Sequence, residues 1–562
     1  MKKVRIWPVV AGLLAAAFVA FIGTFGLLIP LNFHARGFWL LIIVVFAVFL
    51  AVRRVALGFK DFGRVRYAKR TKKGRKIEVR KFNINFKPYI LLFVFIAVFI
   101  VLNIAGSKAF NASRYASILT VQNADFSKDI SESVGTDSFA LMDTASAKML
   151  GDREIGSLSS VVSQFNVSDD YTQIDYRGKP VKVSALGYAG FFKWINNRDS
   201  GVVGYVTVDP VSMSAHFTEY GSMKYVPSAY LLENASRHLW LKYPTLMLGD
   251  VHFEIDEDGK PYYIAPIYEK TVALLGGKTV SGCVVLDPVT GETQKYEAGD
   301  VPQWIDVVFD GDLICEQYNW YGKLQNGFLN SLIGKKGCKQ VTTYDTGDEV
   351  DYENDSVPLS DYGYVSKDGD IWIYTGVTSL NGDSSNIGFL LANERTGEAH
   401  YFDVAGADEK SAMAAAEGEV QEKGYQASFP SLISVGSKPT YIMVLKDSGG
   451  LVKLYAAVNV EQYNIVTTAT TQKECLEKYK TMLGMSESGA SPEETEKITV
   501  KIESIRYIDI DGNTYIYLIT ADGRLFKAKA SEHEEMLLLK EGDKAELECS
   551  GSFVTSFKRL EK

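Results

Sequence analysis

The chain has 562 residues, with 60 Lys and Arg against 68 Asp and Glu, a net charge of −8, and its length allows roughly three or four domains. The mild total conceals a split: residues 1–108 hold nineteen Lys or Arg against only Asp61 and Glu78, about +17, which leaves 41 cations and 66 acids, about −25, for residues 109–562. Such a division excludes a chain that lives in a single environment.

From Trp7 to Pro30 no side chain is charged, a run long enough to cross roughly 30 Å of hydrocarbon as a helix. Gly37–Val52, extended to Leu57 past Arg53 and Arg54, and Tyr89–Ser107 are the next two apolar runs. Three membrane-spanning helices are expected, at about 7–30, 37–57 and 89–107. Cations in the short loops set the orientation. The N-terminus has three, the 53–88 loop fourteen, and the 31–36 loop only Arg36. The N-terminus and basic loop are therefore expected inside the cell, with residues 108–562 outside it. The first run is too long for a signal-peptide core and reads as uncleaved. In the basic loop Arg64, Arg66, Lys69, Arg70, Lys72, Lys73, Arg75 and Lys76 act chiefly as the topological signal. They are also candidates for contact with anionic lipid headgroups. Nucleic acid is not expected as a partner.

Beyond Ser107 the chain is rich in aromatics, short β-like runs and Gly/Asp/Asn turns. One hairpin pattern occurs three times, at Gly204–Gly221, Gly282–Gly299 and Gly388–Gly406. The second and third turns carry Thr-Gly-Glu, where Gly291 and Gly397 can take the positive φ of a tight hairpin. Helical spacing in "PSAYLLENASRHLWLKYP" precedes the strands "VHFEID" and "PYYIAPIYE". Likewise "ADEKSAMAAAEGEVQEKG" precedes a second strand meander. A helix followed by an antiparallel meander makes the extracytoplasmic part α+β. The arrangement, with "DEDGKPYYI" and "VVLDPVTGE", resembles PepSY-type domains of membrane proteins in Gram-positive-type bacteria, over Tyr225–Glu297 and more loosely Gly388–Leu483. The resemblance implies binding, inhibitory or regulatory roles at the envelope and supplies no catalytic residue.

The expected organisation is a membrane domain (1–108), an α+β region (109–225), a PepSY-like unit (226–310) and an aromatic and acidic insertion (311–370). A second helix-plus-meander unit (371–484) and a polar linker (485–497) follow. The alternating strands and Asp-Gly turns of 498–562 predict a small β-barrel of OB or SH3-like type.

Signatures of chemistry are sparse. The six histidines form no HExxH, HxH or His-x3-His pair. No Gly-x-Ser-x-Gly elbow, Ser-x-x-Lys dyad, P-loop or GxGxxG occurs. No cofactor or metal is expected. Cys283, Cys315, Cys338, Cys475 and Cys549 are odd in number and lack CxxC spacing, which reads as buried free thiols, with a Cys315–Cys338 bridge as the alternative. Cys338 is the one thiol with flanking cations, Lys335, Lys336 and Lys339, that would lower its pKa. Asp345–Asp370 holds nine carboxylates, read as a solvated loop, with divalent-ion binding as the alternative. Asp511-Gly512 reads as a hairpin turn. The aromatics Tyr318, Trp320, Tyr321 and Phe328, and Phe191, Phe192 and Trp194, are mixed with polar residues as on a partner- or glycan-binding surface. Ordinary packing is the competing reading.

The expected function is a non-enzymatic, multi-pass bacterial membrane protein whose exterior binds another envelope protein or wall polymer. An accessory subunit of a membrane complex is the first alternative. A Gly-lined helix face at Gly12, Gly23 and Gly26 would favour it. An envelope hydrolase or transferase is the second, favoured by buried, convergent acids.

Overall fold

A computed structural model describes residues 6–62, 87–126, 141–342, 362–380, 385–485, 496–510, 513–530, 533–550 and 553–560. The basic loop residues Arg64–Lys76 and most of the acidic stretch 345–370 lie outside the described residues. The chain divides into two units, 1–123 with 144–383 and 389–401, and 124–143 with 384–388 and 402–562.

The first unit begins with α1 (Ile6–Phe21), continued by a π-helical turn to Gly26, then α2 (Arg36–Phe62) and α3 (Lys87–Ala105). Two stretches, Ile6–Gly26 and Arg36–Leu57, are long and apolar enough to cross a membrane. The apolar part of α3, Tyr89–Ala105, is shorter, because the chain turns at Gly106. Gly12 and Gly23 are used inside the chain. A methyl on Gly12 would meet Phe49 at 2.9 Å, and one on Gly23 would meet Leu41 at 2.4 Å. The glycines thus let α1 and α2 pack closely.

After α4 (Ala112–Ala116) and β1 (Val121–Ala124), one pattern recurs three times. Helix α5 (Thr144–Gly156) and the turn α6 (Ser159–Val162) lead into β2 (Phe165–Val167), β3 (Thr172–Tyr176) and β4 (Lys179–Tyr188). After α7 (Phe191–Asn197) come β5 (Val202–Asp209) and β6 (Ser214–Met223). Helix α8 (Ala235–Lys242) leads into β7 (Met247–Leu248), β8 (His252–Ile255), β9 (Pro261–Val272), β10 (Gly276–Leu286) and β11 (Thr293–Glu297). Helix α9 (Gly311–Leu324) leads into β12 (Lys339–Val341), β13 (Gly363–Lys367) and β14 (Asp370–Ser379). Past β15 (Ser385–Asn386) the sheet continues with β16 (Gly388–Asn393) and β17 (Ala399–Phe402), and β1 pairs at its far edge. In each sheet the two short strands share one edge of the long third strand, and the next two extend the meander.

The second unit repeats the pattern. Beyond β18 (Gly406–Ala407), helix α10 (Glu409–Gly418) precedes β19 (Gln426–Ala427), β20 (Ser431–Val435), β21 (Lys438–Lys446), β22 (Val452–Asn459) and β23 (Val466–Ala469), followed by α11 (Gln472–Met482). It closes with a five-stranded barrel of β24 (Glu496–Ile510), β25 (Asn513–Thr520), β26 (Leu525–Lys529), β27 (Lys544–Ser550) and β28 (Phe553–Leu560). Their order is β24-β25-β26-β28-β27, with β26 and β28 parallel. Ile510 pairs with Asn513 in the β24–β25 ladder, and Asp511-Gly512, read from sequence as a turn, lie outside the described residues. Val500, Ile502, Ile516, Leu518, Phe526 and Leu547 fill the barrel.

The closing hairpins explain the motif seen three times in the sequence. In each turn an Asp or Asn side chain holds the backbone, an Asx turn. Asp209 Oδ1 accepts from the Val211 amide at 2.8 Å, Asp287 Oδ1 from Val289 at 2.8 Å, and Asn393 Oδ1 from Arg395 at 2.8 Å. Asn459 does the same for Gln462 at 2.7 Å in a fourth hairpin, which lacks Thr-Gly-Glu. Gly291 and Gly397 sit at φ +73° and +72°. The Thr-Gly-Glu at 396–398 thus closes the sheet that α9 opens. The 311–370 segment, read from sequence as an insertion, supplies α9, β12 and β13 to that sheet. The 371–484 segment, read as one unit, is shared between the third sheet and the fourth.

Candidate functional site: a sealed ionisable centre

In the first unit β3 runs beside β8 and β14, so the inner edges of three sheets converge. Each contributes ionisable side chains. Gln173 and Lys182 face each other across the β3–β4 ladder, and Asp175 lies two residues along on the same face. Strand β8 brings His252 and Glu254, and the segment before α9 brings Asp306 and Asp310. Asp370 opens β14, and the β16–β17 turn carries Glu394 and Arg395.

Glu254 is fully buried and its carboxylate is well occupied. Its Oε2 accepts from the Asp306 amide at 2.9 Å and its Oε1 from the Val307 amide at 3.0 Å, with His252 Nε2 2.9 Å from Oε1. Asp306 Oδ2 accepts from the Asp175 amide at 2.8 Å, and Asp175 Oδ2 accepts from Ser366 Oγ at 2.9 Å. Asp370 accepts from Asn393 Nδ2 at 2.6 Å and pairs with Arg395. Lys182 Nζ lies 4.9 Å from the centre of the Tyr364 ring.

Besides the Gln173 amide, which has no hydrogen-bond partner among the described residues, two carboxyl oxygens stand apart. Asp306 Oδ1 and Glu394 Oε2 are buried and have no hydrogen-bond partner among the described residues. Burial pushes the Glu394 carboxyl well above the ordinary carboxylate range. Asp310 and Glu254 add repulsion, while Lys182 and the Gly311 amide at the start of α9 work against it. Burial likewise raises Asp306, reinforced by Glu254 and opposed by the Asp175 amide bond and Arg395. For both carboxyls the buried site favours the neutral form over the charged one. Lys182, Glu254, Asp306 and Glu394 are each no more than 2% exposed. No substrate touches groups so enclosed without the sheets parting. The centre lies where the inner edges of three sheets meet, with His252, Arg395 and Asp370 its partly exposed members.

The sequence did not single out this centre. Its one signal was a charge placed among apolar neighbours, as Lys182 is in "PVKVSALGY" or Glu394 in "LLANERTG". The aromatic candidates separate into two groups. Tyr318 and Trp320 lie in the core at 0% and 6% exposure, because α9 is packed against α4, β10 and β12 together. Trp194 is also buried, its Nε1 donating to Glu233 Oε2 at 2.8 Å. Tyr321 and Phe328 are half-buried, and Phe328 packs on the Tyr115–Trp320 cluster. Only Phe191 and Phe192 are exposed.

All five cysteines are buried and none is in a disulfide, so Cys315 and Cys338 form no bridge. Two of the three cations expected to activate Cys338 are engaged elsewhere. Lys339 Nζ lies 3.8 Å from the Tyr401 ring centre and Lys335 Nζ donates to Leu380 O at 3.2 Å. Burial raises the Cys338 thiol, with Asn330 opposing. Burial also pushes Cys283 up to about 12 and Cys475 to about 11. In the native protein none of the five is expected to react with a bulky maleimide before unfolding. Labelling of Cys338 at the rate of an exposed thiol would overturn this assignment. His34, His238 and His400 are held by Leu274 O, Gly291 O and Glu398 respectively. No metal-binding cluster occurs among the described residues.

Neither a known protein family nor a curated relative matches the chain. Among solved structures, a levansucrase variant from B. megaterium aligns over 78% of this chain and 97% of its own at 11% identity and a TM-score of 0.17. A Synechocystis apocarotenoid oxygenase variant aligns over 71% of this chain and 65% of its own, at 8% identity and 0.13. An apocarotenoid oxygenase/RPE65 chimera covers 71% and 62%, also at 8% and 0.13, so the chain spans less than two thirds of the oxygenases' length. Likenesses at such scores carry no argument about fold or chemistry.

Proposed function

We propose that the chain is a multi-pass membrane protein whose large exterior region binds another envelope protein or wall polymer without catalysing a reaction. The observation that carries this reading is the seam between the helices and the first unit's sheets. The short connection between α1 and α2 is bonded to residues that follow all three helices. Leu31 N donates to Pro244 O at 2.7 Å, Asn32 Nδ2 to Thr245 O at 2.9 Å, and Trp240 Nε1 to Ile29 O at 3.1 Å. A connection and a body so joined lie on one side of a membrane, opposite the loop between α2 and α3. That loop is the cationic one, and the retention of Lys and Arg on the cytoplasmic side supports reading it as inside and the body as outside. With α3 spanning at its shorter length, about 26 Å against a core of about 30 Å, modest thinning or snorkelling closes the gap.

The helix-first antiparallel units fit the PepSY-like reading, and the barrel's strand order fits an OB-like one. For the accessory-subunit reading two of the three glycines, Gly12 and Gly23, are covered within the chain, while Gly26 stays exposed. An enzymatic reading draws on Asp306 and Glu394, whose raised carboxyls are suited to acid catalysis. It is weakened by their enclosure.

Topology is testable in intact cells with a membrane-impermeant thiol reagent. Asp258→Cys, in the exposed turn before β9, should label without permeabilisation, and Arg70→Cys only after it. Crosslinking from intact cells should then recover exterior or wall components. Recovery of cytoplasmic partners alone for residues 109–562 would sink the reading.

A further inference from the structure

Large apolar side chains left exposed on the first unit's body concentrate in two places, each tied to the end of a membrane helix. The first adjoins α1. Arg237 Nε donates to Phe25 O at 3.0 Å and its Nη1 to Leu231 O at 2.8 Å, so one guanidinium joins the helix end to the 230–233 turn. Trp194 and Arg198 both bind Glu233, at 2.8 and 2.7 Å, which locks α7 to the same turn. Phe192 is left 78% exposed, with Leu231 and Leu232 at 59% each. Leu231 sits at φ +54°, a backbone state unfavourable for a branched aliphatic residue.

The second place adjoins α3. Tyr115 donates to Gly106 O at 2.7 Å, just past the helix, and stacks edge-on against Trp320. Lys108 caps that indole at 5.3 Å, and Phe328 packs on the same cluster. The helical turn that follows presents Leu329, Leu332 and Ile333 at 71%, 59% and 83% exposure. Cations flank both places, Lys193 and Arg198 at one, Lys335 and Lys336 at the other.

We infer that these two tips insert into the outer leaflet, so that the body is held on the bilayer by its own apolar contacts as well as by the three helices. The occupant is lipid because both tips continue surfaces that already end at the membrane, and each combines exposed aliphatics, aromatic neighbours and flanking cations. That is the composition of an interfacial segment seated about 5–10 Å into the headgroup and acyl boundary. The inference rests on the reading of α1–α3 as membrane spans.

The test uses the full chain in nanodiscs of phosphatidylcholine and phosphatidylglycerol, carrying a single environment-sensitive fluorophore at Phe192→Cys, Ile333→Cys or Phe18→Cys. Phe18 lies within the Ile6–Gly26 span at 65% exposure and reports the spans themselves. The expected result is quenching of the Phe192 and Ile333 probes by doxyl lipids, stronger from doxyl groups near the headgroup than near the chain end, with protection from iodide. Free iodide quenching at both tips, with Phe18 quenched by lipid, overturns the inference and leaves the spans standing. Protection from both quenchers means that protein covers the tips, which also overturns it. Absence of lipid quenching at Phe18 overturns the spans and the inference together.

Discussion

Glu254→Gln is expected to destabilise the first unit by about 3 kcal/mol, while Glu394→Gln, in the same centre, costs less than about 1 kcal/mol at acid pH and less still as pH rises. The two differ in what their oxygens face. Both Glu254 oxygens accept, from the Asp306 and Val307 amides and beside His252. An amide nitrogen in place of either oxygen would confront a donor, and the loop before α9 would lose one of its ties to β8. Glu394 Oε2 faces no donor among the described residues, and burial keeps the carboxyl protonated. Glutamine reproduces that neutral form.

The pH dependence follows from the same shift. A carboxyl whose folded pKa is raised binds a proton that the unfolded chain releases, so its stabilising contribution is complete below the ordinary value near 4.3. It is lost as pH rises through the raised folded value. Asp306 behaves alike. The first unit is therefore expected to lose stability as pH rises above the ordinary carboxylate range, and Glu394→Gln should flatten that slope. Denaturant-dependent labelling of Cys283 and Cys315 reads the first unit alone, since Cys475 and Cys549 report the second. An unchanged slope in Glu394→Gln would show that the proton sits elsewhere.

The parts of this fold that were legible in the sequence are those encoded locally. Two long uncharged runs name their own helices, and the third is apolar but shorter because Gly106 turns the chain. The Asp209, Asp287 and Asn393 turns can be read because an Asx side chain holds its own backbone. Strand alternation and Asp-Gly pairs outline the barrel. The fourfold pattern was hidden because the strands that complete each sheet edge are very short. Met247–Leu248 and Gln426–Ala427 have two residues each, and pairing alone makes them strands. The ionisable centre was hidden for a related reason. Lys182, Glu254 and Glu394 come from three sheets, and only the tertiary convergence of β3, β8 and β14 brings them together. Tyr318 and Trp320 could be read from sequence as binding surface or as ordinary packing, because polar residues surround them on α9; packing holds, since that helix is enclosed on several sides and buries Gln317 and Asn319 too.

Gly276→Ala is expected to weaken the junction between the second sheet and α3 by about 3 kcal/mol, as overpacking against main chain does. Gly276 opens β10 where the strand passes against the end of α3. A methyl there would lie 2.2 Å from Gly106 O, 2.6 Å from Tyr115 Oη and 2.9 Å from Val272 O. Two of these three atoms belong to main chain and cannot rotate away. The third is the hydroxyl that donates to Gly106 O, so relief of the clash breaks that bond as well. Val272, across the ladder, belongs to the same apolar cluster as Tyr115, Trp320 and Leu324, so the displacement reaches the packing beneath α3. Gly299→Ala is the matched control, because a methyl there meets nothing within 4 Å. The variant should show a lower thermal midpoint and faster trypsin cleavage at Lys108 and Arg114, beside the junction, with neither change in Gly299→Ala. A Gly276→Ala chain as stable and as resistant as the parent would mean that the strand and the helix end do not touch, and the seam that ties the body to its helices would rest on the α1–α2 connection alone.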